Sequence, residues 1–214
     1  PHDIVLFPMW AARGAPIDTP SPLDPPTVSP SPTDDEDLAT KPAAQIAYRA
    51  SYPTAYGFGV AVERLYRNNA QQYRDTYYRL HAEVDGPLDR VRRAVTEGGS
   101  DRAVIMRTSD HGELLGSHGG LHQKWYTLYD EATRVPFSIA RIGDGATVAR
   151  TVDDAPTSHV DIVPTLLAAA GIDEEAMAAV LRECLTEVHP LPGRNLMPVV
   201  DGAPADTGRR RRRS

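Results

Sequence analysis

The sequence predicts an α/β fold, in which helices flank a partly parallel sheet. A helical pattern over residues 66–98 leads into a short apolar strand at 102–108, and a second apolar strand at 135–140 follows about 25 residues later. Helices and strands in this order are typical of one layered α/β domain. A loop rich in glycine and histidine follows the first strand, at the end where open α/β sheets bind their ligands.

The composition restricts the class of protein. Hydrophobic residues make up 41% of the 214 residues, which is enough for the core of one sizeable domain. The net charge of −6 argues against a nucleic-acid-binding surface over the whole domain. The single cysteine, Cys184, excludes a disulfide framework. No window approaches the ~18 consecutive apolar residues of a membrane span, so no span is expected.

The amino terminus carries little information about the compartment. Because no secretory signal is visible, a cytoplasmic location is favoured. The start at Pro1 without a methionine suggests that the natural amino terminus lies further upstream.

The chain is predicted to divide into three parts. Residues 1–45 form an amino-terminal segment with a long proline-rich loop, because seven of the seventeen residues from Pro16 to Pro32 are proline and fit neither a helix nor a central strand. Residues 46–202 form the α/β domain. Residues 203–214 contain five consecutive arginines and are predicted to be a disordered, solvated tail rather than a nucleic-acid-binding patch.

The helices are predicted from apolar spacing and from capping residues. Apolar residues at steps of three and four mark residues 66–98 as helical, and the Gly-Pro step at 86–87 should divide this stretch into two helices or kink it. A capped helix ending in glycine is predicted at 158–171, and a further helix at 173–187. Residues 191–202 are rich in proline and glycine and are predicted to be irregular.

Asp110 and His111 are the first candidates for a metal site, because they directly follow the predicted strand. A carboxylate oxygen is a hard ligand that suits Ca²⁺, Mg²⁺ or Mn²⁺, whereas a neutral imidazole shifts the preference toward Mn²⁺ or Zn²⁺. The alternative is structural, with Asp110 capping a turn and His111 held in the loop. The neighbouring glycines and Lys124 favour the metal, and at least one more carboxylate must then come from elsewhere in the fold.

Lys124 and three histidines are candidates for contact with an anionic substrate. Lys124 could present a fixed positive charge to a sulfate or phosphate oxygen, or it could be a surface lysine packed on Trp125. His118 and His122 could donate a proton to a leaving group, or they could orient their neighbours in a glycine-rich loop. His2 is a possible anion-binding histidine.

The motifs around these residues resemble those of the sulfatase family of the alkaline-phosphatase-like superfamily. The resemblance covers roughly residues 60–202. It rests on the ordered motifs Thr108–Gly119, Lys124, Tyr129–Phe137, Ser158–Ile172 and Pro192–Pro198. The resemblance implies a partial alkaline-phosphatase-like sheet flanked by helices.

The resemblance also implies roles for four residues. Asp110 and His111 match the family's late pair of metal ligands, Lys124 matches the lysine that contacts the sulfate or phosphate group, and His2 resembles a substrate-facing histidine. The implied activity is metal-dependent hydrolysis of a small-molecule sulfate ester, with calcium as the expected ion and manganese or zinc as alternatives. Hydrolysis of a phosphate or phosphonate ester stays open within the same superfamily.

The sequence departs from the family pattern in one respect. Sulfatases carry a Cys-X-Pro-Ser-Arg or Ser-X-Pro-Ser-Arg motif whose first residue becomes the formylglycine nucleophile, and neither version occurs here. Cys184 is followed by Leu185 and does not fit the motif. The chain therefore resembles the carboxyl-terminal portion of a sulfatase, whose partner would be the missing amino-terminal half of the domain. The alternative is a catalytically inactive fragment that at most binds a metal or an anion.

Overall fold

The computed structural model describes residues 27–55, 61–98, 102–124, 126–143 and 155–203. Contacts between residues divide the chain into two units, Pro1–Gly98 with Arg107–Ser138 and Gly99–Met106 with Ile139–Ser214. His2 and the arginine-rich tail from residue 204 onward lie outside the described residues.

Helices supply most of the described part of the first unit. They are α1 (Ala43–Ala55), α2 (Ala61–Asn68), α3 (Ala70–Glu97) and the single-turn α4 (Asp130–Thr133), and a short 3₁₀ helix, Leu38–Thr40, precedes them. Their apolar faces meet in one buried cluster that also includes residues of the loop between positions 114 and 121. The buried members of the cluster are Leu38, Tyr48, Tyr66, Tyr73, Leu114, Leu121 and Ala132.

The long helix α3 continues through Pro87. The sequence predicted two helices or one kinked helix at this point, and the prediction of two helices is wrong. Residues 83–87 are exposed, so water can satisfy the carbonyl group that Pro87 leaves without an amide donor. The break falls instead at Asn69, whose side-chain amide donates to the Leu65 carbonyl oxygen at 2.8 Å.

The replacement Gly86→Ala is expected to stabilise the protein. Gly86 is exposed within α3, and an added Cβ would meet nothing closer than the Arg90 guanidinium at 3.9 Å. Glycine inside a helix costs conformational entropy, so alanine should raise the free energy of unfolding by about 0.5–1 kcal/mol. Urea unfolding followed by circular dichroism measures the change. An unchanged or lower free energy of unfolding would contradict a continuous helix at this position.

The described part of the proline-rich segment, residues 27–42, is fastened to the first unit by hydrogen bonds. Arg74 Nε on α3 donates to the Val28 carbonyl oxygen at 3.2 Å. The Gly119 N–H donates to the Thr33 carbonyl oxygen at 2.9 Å. Because both bonds join positions that are distant in sequence, this part of the segment packs against α3 and the glycine-rich loop.

Two strands, β1 (Arg102–Thr108) and β2 (Phe137–Gly143), pair as a small antiparallel sheet. The strand bounds predicted for β1 are confirmed, whereas β2 begins two residues later than predicted. These two strands do not pair in the parallel sense that the sequence suggested. The described residues of the connection between them form no helix longer than a single turn, whereas a parallel pair normally uses a crossover helix.

In its described residues, the second unit contains a short 3₁₀ helix, His159–Asp161, and three further α-helices, α5 (Ile162–Ala169), α6 (Glu174–Arg182) and α7 (Met197–Val200). A capping box at Ser158 precedes α5, and Gly171 follows it in a left-handed conformation with φ of 71°, so both predicted ends are confirmed. α6 is shorter than predicted, and α7 lies in a stretch predicted to be irregular. None of the helices in the described ranges combines the length and apolar character needed to cross a membrane.

Candidate functional site

Asp110 and His111 place two metal-ligand atoms side by side after β1. His111 Nε2 lies 3.3 Å from Asp110 Oδ2. His111 Nδ1 lies 2.8 Å from the Gly112 carbonyl oxygen, and because a carbonyl only accepts, Nδ1 carries a hydrogen. In the neutral ring, Nε2 is then the nitrogen with the lone pair. The contact is that of a hydrogen bond or ion pair between the two side chains, and both atoms are also of the types that ligate divalent ions.

The carboxyl group of Asp110 is held in its charged form. Its side chain is 81% exposed. Desolvation opposes ionisation, but the His111 imidazole, two backbone N–H groups and the Lys124 ammonium together outweigh it and lower the pKa of Asp110 below its usual value. Asp110 therefore stays a carboxylate at neutral pH, which is the form that binds a cation.

Lys124 lies in the same loop as Asp110, near enough for its charge to act on that carboxyl group. Its ammonium group acts on the carboxyl groups of both Asp110 and Glu113. Glu113 Oε1 accepts a hydrogen bond from the Gln123 N–H at 2.5 Å, immediately before the lysine. The structure thus places three of the predicted site residues, Asp110, His111 and Lys124, in the loop that follows β1, and Glu113 lies in the same loop.

His118 is enclosed by two carboxylates. Its Nδ1 lies 2.9 Å from Glu36 Oε2 and its Nε2 lies 3.1 Å from Glu131 Oε2. The ring also stacks on Tyr129, with 3.6 Å between ring centroids, and the side chain is only 12% exposed. Carboxylate oxygens on both sides of the ring thus hold His118 between the two glutamates. These contacts favour the orienting role, and the catalytic role of His118 stays a prediction.

His122 is partly buried and packs against aromatic rings. It stacks on Tyr66 with 3.9 Å between ring centroids and meets Tyr73 edge-on at 5.2 Å. Burial lowers the pKa of His122 to about 3, so the ring is neutral at physiological pH. A neutral, buried imidazole is poorly suited to give a proton to a leaving group. The catalytic role of His122 stays a prediction, and the geometry favours a packing role.

The two predicted metal ligands lie together, but the described residues do not complete a metal site around them. Across the described parts of the chain, no third His, Cys, Asp or Glu joins Asp110 and His111 in a group that could hold a metal ion. His2, the other predicted substrate contact, lies outside the described residues. Glu113 and Tyr73 were not among the predicted site residues. Their only sequence signals are a glutamate directly after His-Gly and a tyrosine on the apolar face of a helix.

Comparison with known proteins identifies the class. The sulfatase family profile matches residues 24–172. The uncharacterized sulfatase YidJ of Escherichia coli is 29% identical over 164 residues, which is 77% of this chain and 27% of that protein. Arylsulfatase K of Danio rerio is 35% identical over 99 residues, which is 46% of this chain and 18% of that protein.

A solved structure supports the fold. The structure of BT1596, described as a 2-O GAG sulfatase, matches with a TM-score of 0.67 and 22% identity over 95% of this chain and 40% of that chain. The predicted α/β class is confirmed by this likeness. The chain belongs to the sulfatase family of the alkaline-phosphatase-like superfamily. It spans about a quarter or less of the length of the two curated relatives.

Proposed function

We propose that this chain carries the late half of a metal-dependent site for hydrolysis of sulfate esters. The observation that carries the proposal is the 3.3 Å separation of Asp110 Oδ2 and His111 Nε2, beside the positive charge of Lys124. Two metal-ligand atoms and one cation in a single loop cluster match the needs of an anionic ester bound next to a divalent ion. The relatives named as sulfatases support sulfate as the anion.

Asp110 and His111 would supply two ligands to the ion, with calcium as the proposed metal and manganese or zinc as alternatives. One charged oxygen ligand favours a hard ion, and one imidazole leaves the softer ions possible. When bound, such an ion supplies Lewis-acid stabilisation of negative charge on the ester. The remaining ligands and the nucleophile are proposed to come from residues outside this sequence, because the formylglycine motif is absent from it.

Lys124 has the role of neutralising the non-bridging oxygens of the bound ester. Its ammonium is a compact point charge, and an anion placed beside it would gain stabilisation as negative charge develops in the transition state. The same contacts would serve a phosphate or phosphonate ester, which is the second candidate substrate class. If no metal or anion binds, the chain is better described as a catalytically inactive fragment.

The replacement Asp110→Ala is expected to abolish divalent-ion binding by the purified chain. Calorimetric titration with calcium, manganese and zinc should show micromolar binding of at least one ion to the wild type. Loss of Oδ2 removes the only anionic ligand of the pair and leaves a single imidazole. The exposed Asp35 offers a matched control, and Asp35→Ala should bind the ion as the wild type does.

Two results would contradict this proposal. One is a folded wild-type chain that binds none of the three ions, which would mean that the half-site is not formed without further ligands. The other is equal loss of binding in Asp110→Ala and Asp35→Ala, which would indicate non-specific association with surface carboxylates. Circular dichroism of each sample establishes that it is folded.

A further inference from the structure

The carboxyl group of Glu113 lies beneath the turn that carries Lys124. Its Oε1 accepts three hydrogen bonds, from the Gln123 N–H at 2.5 Å, the Tyr73 hydroxyl at 3.0 Å and the Leu115 N–H at 3.3 Å. Burial of the group raises the pKa of Glu113, and these three donors oppose that rise. One oxygen atom thus accepts hydrogen bonds from two backbone amides, one on each side of the loop, and from a side chain of α3.

The two backbone amides that donate hydrogen bonds to Glu113 belong to residues with a positive φ angle. Leu115 has φ of 53° and Gln123 has φ of 64°. Residues other than glycine rarely adopt this left-handed region, because Cβ then crowds the neighbouring carbonyl oxygen. Such backbone persists only where surrounding contacts determine it, and the Glu113 carboxylate supplies those contacts at both positions.

Further bonds hold the backbone immediately before Lys124. The Gln123 carbonyl oxygen accepts from the Leu114 N–H at 2.9 Å. The His122 carbonyl oxygen accepts from the Tyr48 hydroxyl at 2.5 Å. The carbonyl groups of the two residues before Lys124 are therefore held by hydrogen bonds. Because the backbone there is fixed, the Cα–Cβ bond of Lys124 has a defined direction.

We propose that Glu113, supported by the Tyr73 hydroxyl, is a positioning residue that sets the turn from which Lys124 reaches an anion beside Asp110. This inference rests on the proposed function, since it assigns Lys124 an anionic ligand. It adds a requirement for an acceptor oxygen at the end of the Glu113 side chain. Glutamine keeps that oxygen and most of the shape, whereas alanine removes it.

The chain is well suited to a direct test, because it contains only two lysines, Lys41 and Lys124. Lys41 is held by Glu36, with 2.6 Å between Nζ and Oε1, and serves as an internal reference. With lysine labelled at the ε-carbon with ¹³C, nuclear magnetic resonance reports each ammonium separately. Titration of the full chain with inorganic sulfate should shift the Lys124 resonance saturably and leave the Lys41 resonance in place.

The variants have distinct expected results. Glu113→Gln should bind sulfate nearly as the wild type does, because the acceptor oxygen is kept. Glu113→Ala should bind about tenfold more weakly, in line with the loss of buried hydrogen bonds. Glu113→Asp keeps the charge but shortens the side chain, and it should resemble the alanine variant. Glu113→Asp takes the place of Glu113→Ala in these measurements if the alanine variant does not fold.

Amide hydrogen exchange separates this inference from the proposed function. In folded Glu113→Ala, or in Glu113→Asp if the alanine variant does not fold, exchange at the Gln123 and Leu115 amides should accelerate more than at the Asp161 amide of the second unit. If the wild type does not bind sulfate but this local acceleration occurs, the anion site is contradicted and the turn-setting role is supported. Unchanged exchange at Gln123, or equal sulfate affinity in the folded variant and the wild type, would overturn the assignment of Glu113.

Discussion

Acidification below about pH 6.5 is expected to destabilise the protein, because of His122 alone, with a slope that rises to a maximum of roughly 1.4 kcal/mol per pH unit. The ordinary pKa of 6.5 applies to His122 in the unfolded chain, and burial lowers the pKa to about 3 in the folded chain. Between these values the unfolded state binds a proton that the folded state does not. The contribution of His122 to stability is therefore fully present above pH 6.5 and is lost as the pH falls toward about 3.

Other titratable groups also change the stability at low pH, and their effects differ in sign. Burial lowers the pKa of His81, so His81 adds to the loss in the same pH range. The bonds from Lys41 and then His118 lower the pKa of Glu36, which adds to the loss only near and below its ordinary pKa of 4.5. Burial raises the pKa of Glu113, so its contribution has the opposite sign and is lost as the pH rises. A single variant is needed to isolate His122.

The replacement His122→Phe provides that isolation. Phenylalanine keeps an aromatic ring against Tyr66 and cannot titrate. Urea unfolding at a series of pH values should give a smaller slope of stability against pH for His122→Phe than for the wild type. The exposed His189 serves as a control, and His189→Gln should keep the wild-type slope. Equal slopes for His122→Phe and the wild type would contradict the neutral, buried state of this histidine.

The replacement Gly112→Ala is expected to destabilise the protein by about 3 kcal/mol. A Cβ at this position would overlap the Glu131 carbonyl oxygen and lie 3.4 Å from Ala132 Cα. Both obstacles are backbone atoms, and the Gly112 N–H donates to the Ala132 carbonyl oxygen at 2.9 Å, so the two segments cannot separate without losing that bond. Because Gly112 follows His111, the change should also abolish binding of the divalent ion.

Two glycine variants elsewhere in the chain provide the comparison. Gly120 has φ of 82°, and an added Cβ would meet nothing within 4 Å, so Gly120→Ala should cost only about 1–2 kcal/mol of backbone strain. Gly86→Ala should stabilise the protein, as described above. Urea unfolding of all three variants and calorimetric titration with the ion measure the effects. A cost at Gly112 no larger than at Gly120 would show that the two backbone segments can move apart.

Several local features of the fold could be predicted from the sequence. The bounds of β1, the capping residue Ser158 and the left-handed Gly171 are all confirmed. Each depends on the preferences of a few neighbouring residues, which the sequence displays directly. The position of the helix break at Asn69 instead of Pro87 was not predictable in this way, because exposure to water decides whether a proline interrupts a helix.

The candidate site likewise combines features that could be predicted from the sequence with features that could not. The sequence placed Asp110 beside His111, because adjacent residues stay close in any fold. It did not show that Glu113 would hold the turn before Lys124, since three hydrogen bonds from separate parts of the chain create that arrangement. It also did not show that His118 lies between Glu36 and Glu131, which are 82 and 13 positions away.

By itself, the sequence determined the α/β class, the resemblance to sulfatases and the residue types available for a metal and an anion. Only the tertiary structure decided the neutral state of His122 and the contacts of His118. His122 is neutral because folding withdraws most of its ring from water, and His118 is bound because folding brings two distant carboxylates to its ring. The charge of a side chain depends on its solvent exposure and on its neighbours in space, and neither is fixed by its neighbours in sequence.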